Sequence, residues 1–220
     1  MTLKPRHVAA RLNWARLHRR WTQDDWENVI FSDESRFYLE GHDSRLRVYR
    51  RRNERFVPAC ISQAADKRSV MVWGAISATG KSQLVIVPGN LTANVYINNV
   101  LGNHLFPFLQ QHNGNPVFQH DNAPAHRAHV TRNYLAANNV NVMTPWPALS
   151  PDLNPIEHAW DIIGRRIRNL PNRPRTLPQL SQALINARSG LDQADVRRQV
   201  LSMRRRCTAV IQAAGHHTRY

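Results

Sequence analysis

A basic amphipathic pattern at helical spacing opens the chain. Val8, Leu12, Ala15 and His18 mark one face over residues 5–20, and Pro5 suits a first turn. Thr22 followed three residues later by Asp25 opens a second, short helical turn. The period then shortens. Segments 28–32, 36–39, 46–49, 69–77 and 83–87 are short and β-branched or aromatic, with Gly41, Asn53 and Gly80 between them, and they predict an antiparallel meander. From Thr92 helices return. Val95, Tyr96, Val100, Leu101 and Leu105 predict a helix running up to Pro107, followed by a strand at 116–119, a helix at 125–138 and a strand at 140–143. A proline-rich loop (Pro145, Pro147, Pro151, Pro155) leads into a helix from Asn154 and Pro155 to about residue 169, with two more helical segments near 177–189 and 193–213. Strands first, then strand–helix alternation, predict an α/β chain with a mixed sheet covered by helices.

These elements suggest three parts: an N-terminal helical segment (1–25), a central domain (26–170) carrying an irregular basic protrusion at 41–67, and a helical extension (171–220) beyond a hinge near 170–175. The longest apolar stretch, residues 70–76, is too short to cross a bilayer, so no membrane partner is expected, and no basic-then-apolar leader opens the chain. Cys60 and Cys207 lie far apart without metal-ligand spacing, which argues for a reducing compartment and against structural zinc.

Charge changes the picture. The net charge is +15, and of the 30 basic residues only Lys4, Lys67 and Lys81 are lysine. Arginine offers a planar fork of donors that fits phosphate oxygens, and so large a charge implies a polyanionic partner. Arg45, Arg47, Arg50, Arg51, Arg52 and Arg55 form one cluster, Arg165, Arg166 and Arg168 a second, and Arg204, Arg205 and Arg206 a third. Arg45, Arg47, Arg50, Arg51 and Arg52 of the first and all of the second are the candidate DNA-binding residues.

Against that background the acids stand out. Asp121 is the only carboxylate in the 85 residues between Asp66 and Asp152, and it follows the short apolar run ending in Phe118. A carboxylate at the carboxyl end of a buried strand is costly unless it is paired or holds a cation. Asp33 ends a similar apolar run, and Glu157 opens a helix after a proline-rich loop. Magnesium prefers hard oxygen ligands, and two such ions can activate an attacking oxygen and stabilise a leaving one on phosphorus. Three carboxylates in a basic protein therefore point to metal-dependent phosphodiester chemistry. Each also has a plainer role: a turn at Asp33, an Asx turn or helix cap at Asp121, and a capping box of Asn154 with Glu157. Asp161, one turn further on, is a rival third ligand. Glu34 should point to the opposite face of its strand from Asp33. His120, His126, His129 and His158 leave a histidine-ligated metal as an alternative.

Several ordered motifs resemble the Tc1-like branch of the Tc1/mariner DNA transposases. They are residues 26–37 (WENVIFSDESRF), 72–77 (VWGAIS), 120–126 (HDNAPAH), 146–157 (WPALSPDLNPIE) with Trp160, and 202–207 (SMRRRC). The likeness runs from about Lys4 to Tyr220. It implies an RNase H-like fold, with a five-stranded mixed sheet flanked by helices and a C-terminal helical extension. It implies a catalytic, metal-binding triad of Asp33, Asp121 and Glu157, and two Mg²⁺ or Mn²⁺ ions with no small-molecule cofactor. It also implies cut-and-paste cleavage of double-stranded DNA at element ends, with strand transfer into TA targets in the nucleus, and a homodimer in which the 41–67 stretch contacts the partner. The 35 residues between Asp121 and Glu157 are one more than is usual in that branch. Family members begin with paired helix-turn-helix readers, and this sequence starts just before the catalytic region. A second expectation is therefore a DNA-binding remnant without activity.

Overall fold

The computed structural model describes residues 2–39 and 68–220. The expected strand at 46–49, the protrusion at 41–67 and the arginines from Arg45 to Arg55 lie outside the described residues. Helices α1 (Pro5–His18) and α2 (Gln23–Glu27) lead into β1 (Val29–Tyr38), β2 (Ser69–Ile76) and β3 (Val85–Val87). Then come α3 (Ala93–Val95), a π-helical stretch (Tyr96–Leu105), α4 (Phe106–Leu109), β4 (Val117–Gln119), α5 (Pro124–Arg127), α6 (His129–Ala137) and β5 (Asn141–Val142). A 3₁₀ turn (Pro151–Leu153) precedes α7 (Ile156–Arg168), α8 (Leu177–Ser189), α9 (Gln193–Val200) and α10 (Met203–Gln212). Among the described residues no helix is long and apolar enough to cross a membrane.

The five strands form one mixed sheet in the order β3-β2-β1-β4-β5. β1, β2 and β3 pair antiparallel, as the short-period segments predict, and β4 and β5 join parallel to β1. This is the RNase H-like architecture that the resemblance implies. Alternation along the strands divides the core in two. Val29 and Phe31 of β1, with Val70, Val72 and Ile76 of β2, face Trp14, Trp160, Leu184, Val200 and Cys207. Ile30, Trp73, Ala75 and Phe118 face Tyr96, Leu101, Leu105 and Ala125 on the other side. Each fully buried large side chain contributes about 1.5–3 kcal/mol, so the sheet is a rigid platform with both faces covered. Helices α8 to α10 lie in the same apolar cluster as β1 and α7.

Four elements differ from the expectation: the helix expected at 125–138 is divided into α5 and α6, the segment expected at 193–213 into α9 and α10, and a strand and a helix are longer than expected. The strands predicted at 28–32 and 36–39 are one ten-residue strand, so Asp33 sits in mid-strand and not at a strand end. The polar run Ser32–Ser35 stays extended because its ladder with β2 is unbroken, from Ser32↔Ala75 to Ser35↔Val72, and on the β4 side Gln119 adds two bonds: Ser32 N donates to Gln119 Oε1 (3.3 Å) and Ser32 Oγ to Gln119 O (2.9 Å). The helix begun at Thr92 does not stop before Pro107. Its π-wound stretch passes into α4 with Pro107 inside the continuous helix, where the proline can give no amide to the preceding turn.

Candidate active site

β1 and β4 run parallel only through Phe31↔Gln119, then diverge. A cleft of about 370 Å³ opens just beyond, lined by Asp33, Asp121, Asn154 and Glu157 and walled by the loop Trp146–Pro151. The three acids singled out from sequence therefore meet at one cleft. Asp33 shares its face of β1 with Phe31, towards α7. There Trp160 Nε1 donates to its Oδ2 at 3.1 Å. Asp33 pairs across the sheet with Gly74, where an added Cβ would lie 3.0 Å from the Trp160 ring. Glycine at that position lets the indole lie flat enough to reach Asp33.

Glu157 is in the first turn of α7 and open to solvent. A helix N-terminus favours negative charge there. The expected capping box does not form. Asn154 spends its side-chain amide on β1, donating from Nδ2 to Ser32 O (3.1 Å) while its Oδ1 accepts from Ile156 N (3.4 Å). This tether fixes the start of α7 to the residue before Asp33, and Glu157 accepts no hydrogen bond among the described residues. Asp161, the rival, lies on the outer surface in an exposed ion pair with Arg165 (3.0 Å).

Asp121 follows β4 and is about half exposed, with 48 % of its side-chain area open. The Asx turn expected there is present: Oδ1 accepts from Ala123 N at 2.8 Å. The same oxygen accepts from His126 Nδ1 at 2.7 Å. His126 is buried on the opposite face of the sheet from Asp33, stacked on His120 (4.8 Å) and against Tyr96 (4.3 Å). Glu34, turned to that face by strand alternation, reaches within 3.3 Å of His126 Nε2. Ligand atoms of Glu34, Asp121 and His126 lie within 4.8 Å of one another, which is the geometric counterpart of the histidine-ligated alternative.

The charges are arranged for a cation. Burial pushes the Asp33 carboxyl well above the usual range, and the charges of Glu157, Glu34 and Asp121 push it further, against the Trp160 hydrogen bond. Glu157, although its side chain reaches solvent, is raised by the desolvation of its carboxyl at the cleft, pulled back by Arg206 and raised again by Asp121. Asp121 differs: burial acts upward, but His126 and the Ala123 amide hold it below the usual range. Burial alone would lower His126, yet its contacts to Asp121 and Glu34 lift it to about 10. Mutually repelling carboxylates with hard oxygen donors in one cleft fit a divalent cation.

Two signals for neighbouring residues were present in the sequence but carried no geometry. Trp160 and Asn122 both fall in the quoted motifs. Asn122 Nδ2 donates to Trp146 O (2.8 Å) and so holds the proline-rich wall of the cleft. Of the second arginine cluster, Arg166 donates to Ala187 O (3.1 Å) and braces α7 on α8, whereas Arg165 and Arg168 lie on the last turns of α7. Arg206 of the third cluster is buried and donates to Asp152 O (2.8 Å).

The profile of the DDE superfamily endonuclease family matches residues 28–181. The chain is 36% identical over 214 residues to the transposable element Tcb1 transposase of Caenorhabditis briggsae, covering 96% of this chain and 77% of the relative. The chain belongs to the Tc1/mariner DDE transposases. It is 35% identical to the transposable element Tc1 transposase of Caenorhabditis elegans, again over 96% of the chain and 77% of the relative. The fold of this Tc1/mariner domain matches the catalytic domain of Mos1 mariner transposase with a TM-score of 0.74 at 18% identity, over 99% of this chain and 98% of that one. The Mos1 catalytic domain has been solved with Mn and with Mg, and Mos1 itself in a paired end complex and a strand transfer complex. The transposase described here is thus a DDE-type nuclease and strand transferase by family, serving DNA transposition.

Proposed function

We propose that the cleft holds two Mg²⁺ or Mn²⁺ ions on Asp33, Asp121 and Glu157, and that this chain cuts double-stranded DNA at element ends and joins the freed 3′-OH to a TA target. The observation that carries this is the convergence of the three carboxylates on one cleft, where desolvation first and acidic neighbours second keep the half-buried Asp33 from ionising freely. Bound divalent ions supply activation of the attacking oxygen and stabilisation of the leaving one. The chain's own residues do the rest. Trp160 orients Asp33, Asn154 ties the start of α7 to β1, and the Trp146–Pro151 loop walls the cleft.

The substrate approaches along α7. Glu157 and Arg168 are 11 residues apart on this helix, a rise of about 16 Å, or roughly five base-pair steps at 3.4 Å each. Arg168, Arg173 and Arg175 line a wide groove at its far end. Phosphate contacts there position DNA without reading its sequence. Arg45, Arg47, Arg50, Arg51 and Arg52, which lie outside the described residues, are further candidate phosphate contacts on the strength of the sequence alone. A homodimer, with one cleft for each element end, and action in the nucleus complete the reading.

Calorimetric titration with Mn²⁺ tests it. Two binding events in the parent, lost with nicking and strand transfer in Asp121→Asn, are the expected result. An Asp121→Asn protein that nicks DNA as the parent does would refute the metal role. Salt-sensitive DNA binding with no metal binding would mark an inactive remnant. The DNA surface has its own test. Replacing Arg165 and Arg168 by Ala should reduce the slope of log affinity against log salt by about 2, one for each phosphate no longer neutralised. An unchanged slope would place DNA elsewhere.

A further inference from the structure

His126 is not needed as a metal ligand for the proposed chemistry, yet it is built into the site more firmly than any triad acid. Its ring is 2% exposed, stacked at 13° on His120 and tilted against Tyr96, whose hydroxyl meets His120 Nδ1 at 3.2 Å. That aromatic wall leaves the imidazole little freedom to turn. Nδ1 is committed to Asp121 Oδ1 at 2.7 Å. Nε2 faces Glu34 Oε1 at 3.3 Å, an ion-pair contact without hydrogen-bond alignment, and neither atom has a hydrogen-bond partner.

We propose that His126, braced by Glu34, is the positioning residue for Asp121: it occupies Oδ1 and so presents Oδ2 to the divalent ion. The inference rests on the reading of Asp121 as a metal ligand. Three observations on geometry support it. Asp121 lies beyond the end of β4, outside the sheet's hydrogen-bond ladder, so only side-chain contacts and its own turn can orient it. Oδ1 already accepts two hydrogen bonds, from Ala123 N and His126 Nδ1, whereas Oδ2 accepts none among the described residues. Glu34 and Asp33 are adjacent on β1 but face opposite sides of the sheet. One strand thus supplies a ligand directly on one face and, through His126, orients a second ligand from the other. Partners that orient metal-binding carboxylates and histidines in this way typically change metal affinity 10–100-fold when removed.

The experiment compares Mn²⁺ affinity and thermal melting for the parent, His126→Leu, His126→Asn, Glu34→Gln and Asp121→Asn. An Asn amide can donate from about the place of Nδ1 but is too short to reach Glu34. The expected result is a roughly 10–100-fold loss of Mn²⁺ affinity in His126→Leu, most of it recovered in His126→Asn, and a smaller loss in Glu34→Gln. A merely structural role would track melting temperature, and the Asn variant would then show no selective recovery. If His126→Leu binds Mn²⁺ as the parent does while Asp121→Asn does not, the positioning role falls and the triad stands. If Asp121→Asn also binds normally, the triad reading itself fails. Nitrogen hyperfine coupling in the Mn²⁺ spin-resonance spectrum of the parent would make His126 a ligand and overturn the proposal.

Discussion

Asp33→Asn is expected to abolish metal-dependent nicking, by on the order of 10³-fold or more, and at the same time to raise the melting temperature of the metal-free protein. The first effect follows from removing an oxygen ligand where a metal ion contributes several kcal/mol to the transition state, each 1.36 kcal/mol being tenfold in rate. The second follows from the site's electrostatics. Desolvation at the cleft, and then the charges of Glu157, Glu34 and Asp121, hold the folded pKa of Asp33 well above the ordinary value. A carboxyl raised on folding contributes stability that is present below its unfolded pKa and lost as pH rises through the folded one. At neutral pH the metal-free wild type therefore carries a destabilising group, and the nearly isosteric amide removes it. A gain of about 1 kcal/mol, or 2–4 °C for a chain of this size, is the expected scale. The gain should vanish below about pH 4, where the carboxyl is protonated in both states. Asp121→Asn should behave oppositely in stability while losing activity equally. It gives up a charge-assisted bond to His126 on a half-exposed side chain, a loss of about 1 kcal/mol. Saturating Mn²⁺ should stabilise the wild type by about 2.7 kcal/mol at a hundred times its dissociation constant and Asp33→Asn hardly at all. Thermal melts with and without Mn²⁺ decide the matter. A lowered metal-free melting temperature in Asp33→Asn, with its Mn²⁺ shift intact, would show that Asp33 is structural.

The three acids were legible because scarcity and position are local properties. A lone carboxylate after an apolar run, in a chain with few acids, needs a partner or a cation wherever the run ends up. What surrounds them was not legible, because it depends on register. Nothing near Ser32 in the chain shows that Val72 to Ala75 will pair with it and its neighbours, so the polar run Ser32–Ser35 reads as a break. Asn154 reads as a helix cap by local rules, and only the packing of α7 on β1 diverts its amide to Ser32 O. His126 and Glu34 are 92 positions apart, and the parallel pairing of β1 with β4 is what carries α5 to the back of Glu34. The helix predicted at 125–138 breaks at Ala128, whose backbone is extended between α5 and α6 (ψ 140°). Alanine has no propensity for that, so the break comes from packing, and it leaves His126 in a short helix of its own beside Asp121.

Arg11 was invisible for a related reason: in a chain of net charge +15 it reads as one more surface base on the first helix. It is fully buried, and all five of its donors are used. Nη1 and Nη2 grip Asp152 at 2.7 and 2.6 Å, and the remaining donors go to Leu149 O (3.3 Å), His216 O (3.0 Å) and Gly215 O (2.8 Å). Thr218 adds two donors to Asp152 Oδ2, at 3.1 and 2.9 Å. Gly215 has φ +88°, and a Cβ there would strike Val8 O at 2.3 Å, so the tail can close on α1 only as glycine. One guanidinium thus ties the N-terminal helix and the C-terminal tail to the back of the loop whose front, Leu149 to Pro151, walls the acidic cleft. Arg11→Met should cost about 3–5 kcal/mol, because it strands a buried carboxylate, and lower the melting temperature by about 10 °C. Adding Asp152→Asn should recover part of that, since the stranded charge is gone although the four-way tie is not restored. The acid side supplies a second check. Burial acts upward on Asp152, but Arg11 and Thr218 hold it below the usual carboxylate range, so its contribution is present above the ordinary pKa and lost as pH falls through the folded one. The gap between wild type and Arg11→Met should therefore close in acid. Nicking by Arg11→Met should also fall at temperatures well below its melting point, because the loop loses its anchor before the sheet loses its core. If Arg11→Met melts with the wild type and cuts DNA as well, the clamp does not hold the cleft wall, and the N-terminal helix is only packed against the domain.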